Sequence, residues 1–97
     1  MDPFETFDML SAEGAMFAAA TERYKLADTR PGQLDALTAA LGHAFGALEH
    51  VALLRVHEPD LAEGVAREWR ELVLDIARTE REIVEDGTAG AAMGGAR

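Results

Sequence analysis

Apolar side chains recur at spacings of three and four along nearly the whole chain, and the pattern breaks only around Pro31, at 28–32, and around Pro59, at 58–60. That period belongs to the α-helix, which gathers residues three and four apart onto one face. A proline disfavours helical conformation in the residue before it, so each break reads as a helix boundary. Three helices are predicted, over about 3–27, 33–57 and 61–85, and no segment shows the alternation of a strand. Short links make sequential helices antiparallel neighbours. The expected fold is therefore all-α, an up-down-up three-helix bundle built as a long helical hairpin plus a third helix, which dimerisation can complete.

The first helix opens on Asp2, Pro3 and Glu5, a capping arrangement with proline at the first helical position. One row along it is Phe7, Leu10, Gly14, Phe17, Thr21 and Tyr24, and a second is Met9, Ala12, Met16 and Ala19. Gly14 costs about 1 kcal/mol in a helix interior relative to Ala, so it is expected to mark close packing or a bend. In the third helix Ala62, Val65, Trp69, Leu72, Ile76, Thr79 and Ile83 form a heptad stripe with Thr79 as its one polar member. The other side of that helix is charged, and Glu63–Arg67, Arg67–Glu71, Arg78–Glu82 and Arg81–Glu85 are four apart, the spacing of ion pairs on a wet face.

Ninety-seven residues make one domain. The domain is expected over 1–86, followed by a flexible tail over 87–97, where Gly and Ala predominate and little apolar surface is available to offset the cost of ordering. Such a length lies near the lower limit for a core that stands without disulfides, metal or a partner subunit. There is no cysteine, which excludes disulfides, thiolate metal sites and a cysteine nucleophile. No uninterrupted apolar run approaches the roughly 20 residues of a membrane span, and the N-terminus lacks the basic start of a secretory signal, so a cytoplasmic protein is expected. One Lys beside eight Arg, with abundant Ala and Gly, is the usage that GC-rich coding produces in some bacteria and phages. A net charge of −9 argues against a basic face for nucleic acid or an anionic membrane and suits solubility.

The second helix departs from the ordinary pattern. Leu34, Leu37, Leu41, Ala44, Leu48 and Val51 form its apolar stripe, yet the opposite side, where charge is expected, reads Ala36, Ala39, Ala40, His43, Gly46, Ala47, His50, Leu54 and His57. Between Leu34 and His57 the permanent charges are Asp35, Glu49 and Arg55. A helix apolar all round is normally covered on most of its circumference. The expectation is that this Ala/Gly/His face is a contact surface, for an identical subunit or another protein. The function that follows is a non-enzymatic acidic interaction module, a regulator, adaptor or inhibitor of a larger protein that self-associates through helix two.

His43, His50 and His57 are each seven residues apart, a rise of about 10.5 Å on a helix, too far for neighbours to share one metal ion. No Glu-x-x-His or His-Glu-x-x-His motif is present. Two antiparallel copies of helix two would set His50 against His50 and His43 against His57, which leaves metal sites formed between subunits as a second reading. Glu80, Glu82, Glu85 and Asp86 crowd the end of helix three, a third reading in which an acidic patch imitates nucleic-acid phosphates, as phage inhibitors do. Ser11, Thr21 and Thr38 lack a His and carboxylate set for nucleophilic catalysis, and no phosphate-binding loop exists, so neither an enzyme nor a cofactor is expected.

Overall fold

The computed structural model has three helices, α1 (Pro3–Leu26), α2 (Arg30–Leu54) and α3 (Pro59–Gly95), and describes the backbone of residues 3–95 and the side chains of 4–86. No strand occurs among the described residues. The flexible tail expected over 87–97 lies outside the described side chains, and the α3 backbone is helical as far as Gly95.

All three prolines stand in the first turn of a helix: Pro3 opens α1, Pro31 follows Arg30 in α2 and Pro59 opens α3. Thr29 is extended (φ −117°, ψ 154°) and its hydroxyl oxygen accepts the Gly32 N–H at 3.1 Å, so α2 begins at Arg30 with Pro31 in its first turn. Proline costs nothing there because first-turn N–H groups have no partner inside the helix. α2 starts ahead of the expected residue 33 because the cap at Thr29 overrides the bias that Pro31 places on the residue before it. α2 ends at Leu54, not near 57: its carbonyl accepts from both His57 N–H (3.0 Å) and Glu58 N–H (2.9 Å), closing a turn over 55–57 before Pro59 opens α3. Glu63 ties this corner together, reaching Arg55 at 3.4 Å and Arg70 at 3.1 Å in place of the expected pairing with Arg67. These pairs are half-exposed and each contributes at most about 1 kcal/mol.

α2 is the middle helix. It packs against α1 on one side and α3 on the other, whereas no Cα of α1 comes within 8 Å of one in α3. Its buried residues are Ala36, Leu37, Ala40, Ala44, Ala47, Val51 and Leu54. That row lies between the leucine stripe and the alanine face, because α2 is covered from two directions and presents to both a seam of small side chains that lets backbones approach. Leu34, Leu41 and Leu48, expected in the core, are half-buried. Ala20, Leu37, Ala40 and Ile76 form one core cluster, and Val51, Leu54, Ala62 and Ala66 the other.

By length and composition α2 also qualifies to cross a bilayer, with a mean hydropathy of 1.3, although no unbroken apolar run marks it in the sequence. A mostly buried core helix passes the same test; α2 lies between its two neighbours with 33% of the qualifying stretch buried. The assembled core is small. Among the described residues the buried apolar side chains beyond alanines are Leu37, Val51, Leu54 and Ile76, while Phe4, Phe7, Met16, Leu26, Phe45, Leu74 and others stay exposed.

Gly42 and Gly64 sit in helix interiors with nothing within 4 Å of where a Cβ would stand. Gly42→Ala and Gly64→Ala are each expected to add about 0.5–1 kcal/mol by reducing backbone freedom in the unfolded chain, read as a higher urea midpoint at unchanged slope.

Candidate interaction surface

The alanine–histidine face of α2, expected to meet another molecule, is largely engaged within the chain. Ala36, Ala40, Ala47 and Leu54 are buried, Ala39, His43, Gly46 and His50 are half-buried, and His57 is exposed in the turn after the helix. What meets this face from α1 is Glu13. His43 Nδ1 lies 3.0 Å from Glu13 Oε2, and His50 Nε2 lies 4.0 Å from Glu13 Oε1. Gly46 makes room for the carboxylate, since a Cβ there would stand 2.9 Å from Glu13 Oε1. The His50 Nδ1 atom is enclosed without a hydrogen-bond partner.

The histidines therefore face one carboxylate of their own chain, each nearer a different oxygen. His57 has left the helix, so the antiparallel pairing of His43 with a second copy's His57 loses its geometric basis. Among the described residues no group of three or more His, Asp or Glu is placed to hold a metal ion. Glu13 could have been suspected from sequence, as it is the one charge on α1 between Asp8 and Glu22 and the α2 histidines are the polar groups opposite. Gly46→Ala is expected to push the Glu13 carboxylate aside and break its contact with His43. The gain in helix propensity is then offset, and the urea midpoint should rise less than for Gly42→Ala.

The acidic residues at the end of α3 do not form a separate lobe. Glu80 is half-buried and accepts from the Thr38 hydroxyl at 3.4 Å, while Glu82, Glu85 and Asp86 are exposed. A shallow depression of ≈ 450 Å³ beside them is lined by Leu41, Ala77, Glu80, Arg81, Val84 and Glu85.

The surface that stands out runs along α1 and α3, on the side where these two helices flank α2. In the α1 row none of Phe7, Leu10, Gly14, Phe17, Thr21 and Tyr24 is buried; in the α3 heptad stripe Ala62 and Ile76 are buried and the rest are not. Leu10, Phe17 and Tyr24 from α1 and Val65, Trp69 and Ile83 from α3 pack against the two core clusters, and Phe17 meets Trp69 edge to face with ring centroids 5.3 Å apart. The two stripes thus form one seam, with Phe7 still 38% and Leu72 36% exposed on it. Neither stripe carries a charged residue. Of its three hydroxyls, the two threonines are satisfied by their own helices, Thr21 donating to the Ala18 carbonyl at 2.8 Å and Thr79 to the Asp75 carbonyl at 2.9 Å, and the third belongs to the half-buried Tyr24. The two threonines can therefore lose their water without being left unpaired.

The sequence stripes on α1 and α3 anticipated these residues as core. Their incomplete burial was not legible, because it depends on how far apart α1 and α3 stand. Comparison of the chain with protein-family models, curated proteins and solved structures finds no match.

Proposed function

We propose that this protein is a non-enzymatic, cytoplasmic helical interaction module that engages protein through the seam between α1 and α3, serving as a regulator, adaptor or inhibitor of a larger assembly. The observation that carries this reading is the seam itself: a continuous strip of half-buried aromatic and aliphatic side chains, free of charge, with its threonine hydroxyls already satisfied. Contiguous exposed apolar strips rimmed by polar residues are characteristic of surfaces that bind protein. The strip is filled by Phe17 and Trp69, which suits a packing surface better than a small-molecule pocket. The charge of −9 then serves solubility and leaves recognition to the seam.

A photo-crosslinking amino acid placed at Leu72, on the seam, and separately at Leu74, which is 63% exposed on the opposite side of α3, tests this in cells expressing the protein. Adducts of defined mass are expected from position 72 and not from 74. No adduct at 72, or the same adducts at both, overturns the reading.

A further inference from the structure

We infer that the occupant of the α1–α3 seam is a second copy of this chain, so that the working unit is a two-fold symmetric dimer. The inference rests on the proposed function above and adds to it the identity of the partner.

The first reason is what the single chain lacks. Among the described residues its fully buried side chains larger than alanine reduce to Leu54, Val51 and Thr6, while the seam holds Phe7, Leu10, Phe17, Tyr24, Val65, Trp69, Leu72 and Ile83 without burying any of them. A fold whose core is finished by its partner needs that partner whenever the chain is made. An identical chain meets that need by itself.

The second reason is charge. A basic partner would be recognised through acidic side chains, and the seam has none. Two copies each carrying −9 can meet there because the contact itself is neutral and the charges stay at the rims or on the outer faces.

The third reason is shape. A two-fold interface must be self-complementary. On α1, Ser11, Gly14, Ala18 and Thr21 form the small-residue edge of the seam, and nothing in the chain lies within 4 Å of where a Gly14 Cβ would stand. On α3 the opposite edge carries Trp69 and Leu72. The Phe17–Trp69 contact places the two edges at the same level within about one turn. A two-fold axis running along the helices sets the small edge of each copy against the large edge of the other. The glycine expected to mark close packing then does so between chains.

The test is light scattering on the purified protein over a range of concentrations and from about 0.05 to about 0.5 M NaCl. A mass of twice 10.4 kDa is expected, with association strengthening as salt screens the repulsion between two acidic chains. Leu72→Glu should weaken association on the order of 100-fold, whereas Leu74→Glu, the same change two residues away and off the seam, should leave it unaltered. If Leu72→Glu fails to fold, the adduct from a photo-crosslinker at position 72 in the purified protein replaces it, with a mass of two chains expected. A 10.4 kDa species throughout, association that weakens with salt, equal effects at 72 and 74, or no two-chain adduct each overturn the dimer. A monomer that still forms adducts of another mass in cells overturns the second copy alone. An absence of any adduct at 72 in cells overturns the interaction reading as well.

Discussion

Leu54→Ala is expected to remove about 2–5 kcal/mol of stability, the largest loss of any single truncation in this chain. Leu54 is fully buried at the end of α2, packed in the cluster with Val51, Ala62 and Ala66, and the half-buried Leu10, Leu48, Val65 and Trp69 close around it. Two of its three fully buried neighbours are alanines, which have no longer side chain to swing into the space, so much of the cavity stays open. A domain of this length holds about 5–15 kcal/mol in total. Urea unfolding at one fixed chain concentration should therefore show a midpoint lowered by a large fraction of its value. Leu74→Ala, at a leucine 63% exposed, should move it by less than about 0.5 kcal/mol. Equal effects at the two leucines would mean that the packing around Leu54 is not as described.

The second large effect comes from adding volume. Ala40 has no exposed surface and sits where α2 meets Ala20 of α1 and Ile76 of α3. Ala40→Leu has no space to enter and must push one neighbouring helix away, at a cost of about 1–3 kcal/mol or more. Ala52→Leu, on the exposed side of the same helix, should be close to neutral. The contrast separates two pictures of α2. Were its alanine face open to solvent, Ala40→Leu would be tolerated as well as Ala52→Leu, and thermal unfolding would not distinguish them.

The sequence carries the helices better than their facing. α3 is legible because one side is charged and the other is a heptad of apolar residues, so its inward direction is written into the chain. α2 has no wet side of that kind. With Asp35, Glu49 and Arg55 as its only permanent charges between Leu34 and His57, the leucine stripe and the alanine face compete equally for the core. The structure resolves the competition by burying the row between them, since two helices cover α2 from two sides. The same ambiguity hid the site. The helix short of charge that stays wet is α1, where Ser11, Ala12, Ala15, Met16, Ala18 and Ala19 are exposed and Glu13, the one charge among them, turns inward to His43. Which face of α1 remains open depends on its register against α2 and on its separation from α3, and neither is encoded in the spacing of residues along one helix.

The close backbone packing joins helices that are neighbours in sequence, α1 with α2 and α2 with α3, while α1 and α3 meet through side chains such as Phe17 and Trp69. Proteins dominated by such local contacts fold in microseconds to milliseconds, because no long loop must close before packing is rewarded. The consequence falls on α2, the segment that meets the length and hydropathy of a membrane span. During synthesis it emerges after the helix that covers one of its sides and just before the helix that covers the other. The interval in which a chaperone, a bilayer or an aggregate could capture it is set by the time needed to make and fold α3, so the order of the helices along the chain is itself a protection of its most apolar part.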